Sequence, residues 1–488
     1  MFESTATLNE IAELKIALNI VWTVIAVCLV MFMQVGFALV ETGFARAKNA
    51  SHTMAMNFFV YSIGVLGFWI SGFALQMGGL DGGVASLGAS PALAREVGIT
   101  IGGKLHGLFG ASGFFLPPAW LTPATAALFM FQVVFMDTAA TIPTGALAER
   151  WKFKSFCLFS SAVAMVIYPV YANWVWGGGF LSSLGRHFGL GHGHVDFAGS
   201  SVVHMTGGVL AFVGASLIGP RVGKYDADGS ARAIPGHNLP MVVTGTFILA
   251  FGWFGFNAGS TLSGADTRLA VVALNTMLAS AGGAAAGAAT SWAKFGKPDL
   301  TMICNGMLAG LVAITAPCAF VAPWAAVVIG TLAGALVVEA ALFVERQLRI
   351  DDPVGAISVH GVCGAFGALA LGVFADGTYG DGFNGVAGNV TGLLYGEPRQ
   401  LLAQALGVGT NMIWVGTSAA CVFLVLERLV GNRVSTQDEL RGLDLSEMGM
   451  EGYYDADAPV TPSSGDRPTI PPPPRTSDLA QLWAAQRR

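Results

Sequence analysis

A series of long apolar segments constrains this chain more than any other feature of its sequence. Each segment is long enough to cross about 30 Å of hydrocarbon as a helix. Hydrophobic residues make up 53% of the 488 residues and charged residues only 11%, too few for a soluble protein of this length. The sequence therefore predicts an all-α integral membrane protein with eleven transmembrane helices. The segments are 16–43, 53–78, 121–147, 155–178, 197–219, 239–262, 268–292, 301–320, 323–345, 355–376 and 402–430.

Positively charged residues concentrate in alternate loops between these segments. Loops rich in Lys and Arg usually face the cytoplasm, and eleven crossings place the two ends of a chain on opposite sides of the membrane. We therefore predict an N-terminus outside and a C-terminus in the cytoplasm. The basic loops carry Arg46 and Lys48, then Arg150, Lys152 and Lys154, then Arg221, Lys224 and Arg232, then Lys294 and Lys297, then Arg346 and Arg349.

The apolar character ends near residue 430, which divides the chain into four predicted parts. Residues 1–15 form an extracellular N-terminal segment, and residues 16–430 form the transmembrane domain. Residues 431–454 form a cytoplasmic tail. Residues 455–488 form an extension whose Pro, Ser and Asp content predicts disorder, although its last twelve residues could also form one short amphipathic helix.

Two Asp–His pairs occur at matched places in the chain. Asp196 precedes His204 by eight residues, and Asp352 precedes His360 by the same interval. Each Asp stands where a helix N-cap belongs, and Pro353 is expected at the first helical position after Asp352. The pairs open the fifth and tenth apolar segments, as an inverted repeat of five plus five helices requires. The pattern therefore predicts such a repeat.

The spacing within each pair also predicts where the two imidazoles lie. Eight residues at about 1.5 Å per residue place each His about 12 Å from the start of its helix. Since one of these helices starts outside and the other inside, both rings are expected near the middle of the membrane. A neutral imidazole donates one hydrogen bond and accepts another, which suits a small hydrogen-bonding solute or a transferred proton. Two ionisable side chains at this depth favour a polar path.

Other polar and aromatic residues leave more than one interpretation open. Asp137 in the third segment is interpreted as a polar group that the surrounding bundle satisfies. Four aromatic residues lie at or near Gly-rich parts of the segments. Aromatic faces attract cations, but aromatic residues also collect at membrane interfaces, so both roles remain open for this set. The four are Phe131, Phe135, Trp176 and Phe256.

Several motifs together resemble the Amt/Mep/Rh ammonium transporter family, and specifically its bacterial Amt branch. The resemblance runs from about residue 16 to about residue 454. It rests on FQVVF at 131–135, GALAER at 145–150, VWGGG at 175–179, DFAG at 196–199, HNLPMV at 237–242, GWFGFNAGS at 252–260 and DDPVGAISVHGVCG at 351–364.

This resemblance implies a pore in each subunit of a homotrimer in the bacterial inner membrane. It implies an outer site that recruits ammonium, with methylammonium as an analogue, before ammonia passes a hydrophobic pore with or without the proton. The outer site would comprise Phe131, Phe135, Trp176 and Ser260, with Asp196 as its structural support. The stacked gate would comprise Phe135 and Phe256, and the pore histidines would be His204 and His360. No cofactor, metal or nucleic-acid partner is predicted.

The tail resembles the regulatory segment through which bacterial Amt proteins bind PII signalling proteins. The resemblance rests on GLDL at 442–445 and continues to Tyr454, but residues 447–454 depart from the usual family ending. Gly355 also replaces an acidic residue that is common after the Asp-Asp-Pro motif. PII is therefore a possible partner at the cytoplasmic face.

Three other functions were weighed against transport. A sensor that binds ammonium without much flux and a carbon dioxide channel both remain open. An enzyme is not expected, because eight helical residues would hold each Asp about 12 Å along the axis and about 80° around it from its His.

Overall fold

Long helices dominate this computed structural model, which describes residues 2–80, 84–88 and 93–453. Residues 2–452 belong to one compact unit. The long helices are α1 (Phe2–Phe44), α2 (Ala47–Met77), α3 (Pro123–Ala146), α4 (Phe153–Trp176), α5 (Ser200–Ile218), α6 (Leu239–Thr261), α7 (Arg268–Phe295), α8 (Leu300–Ile314), α9 (Pro323–Arg346), α10 (Ile357–Phe374) and α11 (Pro398–Leu429).

Ten of these helices, among the residues described, are long and apolar enough to cross a membrane. The remaining one, α8, is apolar but has only 15 residues, fewer than the roughly 20 that a span needs. The count of eleven spans, the inverted repeat and the orientation therefore stay predictions. At the start of the chain, α1 begins at Phe2, so most of the segment predicted at 1–15 is continuous with the first helix.

A β-hairpin between α2 and α3 corrects the all-α prediction. Strand β1 (Glu96–Ile101) pairs antiparallel with β2 (Lys104–Gly110). The two-residue turn is Gly102 and Gly103, whose φ angles of 60° and 78° suit glycine and match the twist of a tight hairpin. The sequence feature that could have predicted the hairpin is this Gly-Gly pair, which lies between two short runs containing β-branched residues. The hairpin contacts the end of α4, where Trp174 Nε1 donates to Leu108 O at 2.8 Å.

Glycines allow the helices to cross at very short range. A Cβ atom on Gly208 of α5 would lie 2.1 Å from the backbone N of Gly361 in α10. Similarly, a Cβ on Gly283 of α7 would lie 2.3 Å from Gly306 O in α8. Small residues bring helix backbones together in membranes, where apolar lipid supplies no hydrophobic drive for packing. The contact between Gly208 and Gly361 also sets the distance between the two helices that carry the histidines.

The loops after α1, α3 and α5 and the loop before α10 meet at one end of the bundle, which we call the basic face. Arg221 links three of them, since its Nη1 donates to Glu149 Oε1 at 2.9 Å and its Nε to Asp351 Oδ2 at 2.8 Å. Arg46 forms a further ion pair with Glu149. Loops predicted on one side of the membrane are therefore adjacent, and which side they face stays a prediction.

The chain after α11 packs on the basic face. It forms the short helix α12 (Thr436–Arg441), after which Leu443 N donates to Asn49 Oδ1 at 2.9 Å. Asp444 Oδ1 accepts from His52 N at 2.9 Å, and Glu447 Oε2 accepts from Phe153 N at 2.9 Å. The predicted extension at 455–488, with its alternative short helix, lies outside the described residues.

Candidate functional site

The structure brings the four residues predicted for the outer site, and the Asp predicted to support it, to one cavity of about 160 Å³. Phe131, Phe135, Trp176, Asp196 and Ser260 line it together. Trp176 is the last residue of α4, and Ser260 lies in the final turn of α6, so the cavity forms where these helices end near α3. Its wall also includes Gln132 and Phe197, to which sequence reasoning assigned no role.

Asp196 organises the start of α5 and the position of Trp176. Its two carboxylate oxygens accept the backbone N–H groups of residues 199–202 at 2.7–2.9 Å. Its carbonyl oxygen accepts a hydrogen bond from Trp176 Nε1 at 2.7 Å. A carboxylate that satisfies four otherwise unpaired amides stabilises a helix start. The same residue therefore holds both the helix of His204 and the indole of the outer cavity.

The predicted helix starts for the two Asp–His pairs were wrong by one turn. Helix α5 begins at Ser200 and α10 at Ile357, so Pro353 precedes its helix instead of occupying the first position. The Asp352 carboxylate spans the residues between it and the start of α10, because it accepts hydrogen bonds from Gly355 N at 3.0 Å and Ile357 N at 2.7 Å. Gly355 has a φ of 80°, and Gly199 at the matched position has 112°.

Each helix begins only after its left-handed glycine, because a residue with positive φ cannot be part of a right-handed helix. His204 is therefore the fifth residue of α5 and His360 the fourth of α10. At about 1.5 Å per residue, His204 lies about 6 Å and His360 about 4.5 Å along its helix, where about 12 Å was expected for each. The φ of 80° at Gly355 lies in a region that favours glycine, which gives a physical reason for the residue found there.

The two histidines lie against each other, which is closer than the shared level that their paired spacing predicts. Their Nδ1 atoms are 3.2 Å apart, and their rings are stacked with centroids 5.3 Å apart. One Nδ1 must donate and the other accept, which requires different tautomers of the two neutral rings. Both rings project from single π-helical turns, a distortion often found at functional sites. His204 is fully buried, whereas His360 keeps 5% of its surface exposed.

A stacked pair of phenyl rings separates the outer cavity from these histidines. Phe135 and Phe256 have centroids 4.1 Å apart and planes inclined by 23°. The Phe256 ring in turn stacks on His204 at 5.3 Å. The order is therefore outer cavity, Phe135, Phe256, His204 and His360.

Comparison with known proteins identifies the family of this chain. A model of the Ammonium Transporter Family matches residues 21–453. The chain belongs to the Ammonium Transporter Family. It is 46% identical to ammonium transporter Amt2 of Archaeoglobus fulgidus over 92% of this chain and 90% of that protein. It is 38% identical to ammonium transporter Amt1 of Haloferax mediterranei over 91% of this chain and 80% of that protein.

Solved structures place the fold of this family member in the same group. A structure titled "Sensor Amt Protein" matches with a TM-score of 0.76 and 35% identity, over 89% of this chain and 99% of that one. The crystal structure of Candida albicans Mep2 matches with a TM-score of 0.72 and 26% identity, over 86% of this chain and 87% of that one. The chain is therefore a multi-pass membrane protein of the ammonium transporter family.

Sequence reasoning overlooked two side chains beside the histidines of this family member. Trp253 stacks on His204 at 5.0 Å and donates its Nε1–H to Thr315 Oγ1 at 2.9 Å. Trp253 belongs to the GWFGFNAGS motif, and this position could have marked it as a candidate site residue. Glu41 is 2% exposed and lines a small cavity with His360. The sequence feature that could have marked Glu41 is its carboxyl group within the first apolar segment, where such a group is rare.

Asp137 differs from its prediction as a satisfied polar group. The side chain is buried in α3 with 4% of its surface exposed. Its Oδ1 has no hydrogen-bond partner among the described residues. The expectation that the bundle satisfies the whole carboxyl group was therefore wrong.

Proposed function

We propose that this family member recruits ammonium at the outer cavity, removes a proton from it and conducts ammonia through the pore of the two histidines. The observation that carries the proposal is the unbroken order of the outer cavity, the phenyl pair and the imidazole pair. The Phe256 ring lies 5.3 Å from His204, and the two imidazole Nδ1 atoms lie 3.2 Å apart. A solute that passes the phenyl rings therefore meets the imidazoles next.

The residues of the outer cavity suit a small cation that has lost part of its water. The rings of Phe131, Phe135 and Trp176 offer aromatic faces, and such faces attract cations most strongly where water is scarce. Ser260 donates its hydroxyl hydrogen to Phe256 O at 2.7 Å. Its oxygen lone pairs remain able to accept an N–H from ammonium.

Deprotonation explains how such a pore can separate ammonium from potassium. The two ions are similar in charge and size, but only ammonium can release a proton. Neutral ammonia can cross the apolar stretch between Phe135 and the histidines, whereas a potassium ion would have to leave its water without compensation. The imidazole pair is positioned to pass on the released proton, which would make transport electrogenic.

The same proposal includes the assembly and the partners of the chain. We expect a homotrimer in the bacterial inner membrane with the basic face towards the cytoplasm. The segment from α12 to residue 452 lies on that face, where a PII protein would have access to it. Cross-linking in native membranes and co-purification with the PII protein of the same cell would test these two points.

Flux through reconstituted protein tests the central proposal. We expect proteoliposomes to take up labelled methylammonium and to exclude potassium, and the double variant His204→Ala/His360→Ala to lose proton-coupled flux or ion selectivity. The matched control is His106→Ala/His187→Ala, because this second histidine pair has Nδ1 atoms 3.4 Å apart outside the pore. Unchanged currents and unchanged potassium exclusion in the pore variant would refute the assigned role.

A sensor is the second candidate, favoured by the match to the structure titled "Sensor Amt Protein". A sensor would use the outer cavity to bind ammonium but would pass little of it. Equilibrium binding of methylammonium without measurable uptake would favour this function over transport. Uptake that saturates at the same concentration as binding would exclude it.

A further inference from the structure

Glu41 is a buried carboxyl group on the far side of His360 from the outer cavity. It is the only charged residue of the sequence between Lys15 and Arg46, and 2% of its surface is exposed. It lines a cavity of about 20 Å³ together with His360, Phe37 and Asn305. A cavity of this volume has room for about one water molecule. The imidazole and the carboxyl group therefore face the same water-sized space.

The partners of Glu41 are neutral. Its Oε2 accepts hydrogen bonds from Asn57 Nδ2 at 2.6 Å and from Thr144 Oγ1 at 2.7 Å. Among the residues described, no Lys, Arg or His nitrogen forms a salt bridge with it. A buried carboxylate without a cation is costly, and the group can lower this cost by taking up a proton. Its surroundings thus allow both protonation states, as a site of proton transfer requires.

A second cavity continues the route towards the basic face. This larger space of about 470 Å³ shares Asn305 and Val354 with the small cavity. Asn305 Nδ2 donates to Val354 O at 3.1 Å, so one hydrogen bond joins the two residues that line both spaces. The charged side chains on the larger cavity are Asp299, Glu345, Asp352, Arg221, Lys224 and Arg346. The small cavity that Glu41 and His360 line is therefore adjacent to a larger, polar cavity.

We propose that Glu41 is the proton acceptor after His360, which rests on the proposed transfer of a proton along the histidine pair. A ring N–H bond of the His360 imidazolium breaks, and an O–H bond forms on the Glu41 carboxylate, directly or through one water. The O–H bond then breaks as ammonia that passes through the small cavity towards the larger one takes the proton and becomes ammonium. Charge and atoms balance, and no other reactant is needed.

Currents from the reconstituted full-length protein test this role. Glu41→Gln keeps an oxygen that can accept from Asn57 or Thr144 but cannot carry a proton. We expect its ammonium-elicited current at saturation to fall about 100-fold, the order of loss when a general acid–base group is removed. The KM for methylammonium should stay unchanged, because the outer cavity is intact. Glu41→Asp should carry an intermediate current.

Glu339→Gln is the matched control, since this residue lies in α9 with 56% of its side chain exposed. A wild-type current in Glu41→Gln would overturn the proposal. If Glu41→Gln does not fold, Glu41→Asp decides the question, because its carboxyl is withdrawn from the cavity by one methylene. A reduced maximal current with unchanged KM then supports the proposal, and a wild-type current overturns it.

Two results with the wild-type protein distinguish failure of the proposed transport function from failure of the role proposed for Glu41. If the wild-type protein takes up no methylammonium, then the proposed transport itself is wrong. If it takes up methylammonium without any current, transport stands but no proton follows the histidines, and the role of Glu41 is overturned.

Discussion

The indole of Trp176 is held by a single backbone contact at the edge of the outer cavity. Its Nε1 donates to Asp196 O at 2.7 Å, and its ring stands edge-on to Phe135 with centroids 6.0 Å apart. One polar atom therefore fixes the orientation of the ring, while the aromatic face stays available to a cation. Only the α4 and α5 helix ends together create this geometry, so no local pattern near residue 176 could predict it.

Removing that aromatic face should weaken recruitment more than turnover. We expect Trp176→Leu to raise the KM for methylammonium about 2- to 30-fold, the equivalent of a cation–π attraction of about 0.5–2 kcal/mol. Trp176→Phe should give a smaller increase. Uptake kinetics in proteoliposomes would measure both. Trp324→Leu, at a tryptophan that is 52% exposed, should keep the wild-type KM; a KM unchanged in Trp176→Leu as well would contradict the prediction.

Glu96 of β1 should make stability depend on pH. Burial raises the pKa of Glu96 from 4.5 to about 7, although a hydrogen bond from Asn173 partly opposes this. Because the folded state holds the proton more tightly, the stabilisation from this group is complete below pH 4.5 and is lost as the pH rises to 7. We expect the melting temperature of Glu96→Gln, relative to wild type, to increase over this range.

The comparison of melting curves needs a control with the same chemical change. Glu339→Gln, on the exposed surface of α9, should shift little relative to wild type at any pH in this range. A difference between Glu96→Gln and wild type that stays constant with pH would show that Glu96 is not held in its protonated form.

At the scale of elements, the crossing of α5 and α10 decides how the histidines meet. Gly208 and Gly361 let the two backbones touch, and each lies within four residues of a histidine. A side chain on Gly208 would separate the helices and the two rings with them, whereas a Cβ on Gly361 would lie 3.4 Å from its nearest neighbour, an ordinary contact. The sequence showed the glycines, but their facing positions depend on the rotation of each helix.

We expect Gly208→Ala to destabilise the bundle by about 1–3 kcal/mol, the usual cost of overpacking a filled contact. The added Cβ would lie 2.1 Å from a backbone nitrogen, so the helices must move apart and flux should fall. Thermal unfolding in detergent and methylammonium uptake would measure the two effects. Gly409→Ala in α11 is the control, since a Cβ there meets nothing within 4 Å. It should be neutral or stabilising by up to about 1 kcal/mol.

At the scale of the molecule, Arg221 ties distant loops together on the basic face. It is 3% exposed, and its partners Glu149 and Asp351 are 0% and 1% exposed. The two carboxylates are separated from each other by about two hundred residues of chain, yet one guanidinium contacts both. Its contacts hold the pKa of Asp351 well below the ordinary value despite burial.

Removing this cation should therefore be strongly destabilising. Arg221→Met leaves the buried carboxylate of Asp351 without an ion-pair partner, while Glu149 keeps Arg46, and we expect a loss of about 3–5 kcal/mol of stability. Arg232→Met breaks an ion pair with Asp226 whose arginine side chain is 62% exposed, and it should cost about 0–1 kcal/mol. Thermal unfolding of the two variants in one detergent compares them. Equal melting temperatures would show that the buried cluster contributes no more than a surface pair.

The sequence by itself determined the family, the approximate positions of the long helices and five of the residues that line the outer cavity. Apolar length is a local property, and motifs such as GWFGFNAGS carry their meaning in one short stretch. It also predicted, from two matched Asp-first intervals, that His204 and His360 lie near the same level. The start of each of their helices was misplaced, because left-handed glycines and carboxylates bridging a loop are not visible in apolar periodicity.

Only the tertiary structure decided which way the side chains face. The contact of the two imidazoles, the stacking of Trp253 on His204 and the position of Glu41 beside His360 depend on helix rotation and crossing. These are set by contacts such as Gly208 with Gly361, between residues more than a hundred positions apart. A carboxyl group in an apolar segment is visible in the sequence, but whether it faces lipid, a neighbouring helix or the pore is a property of the packed bundle.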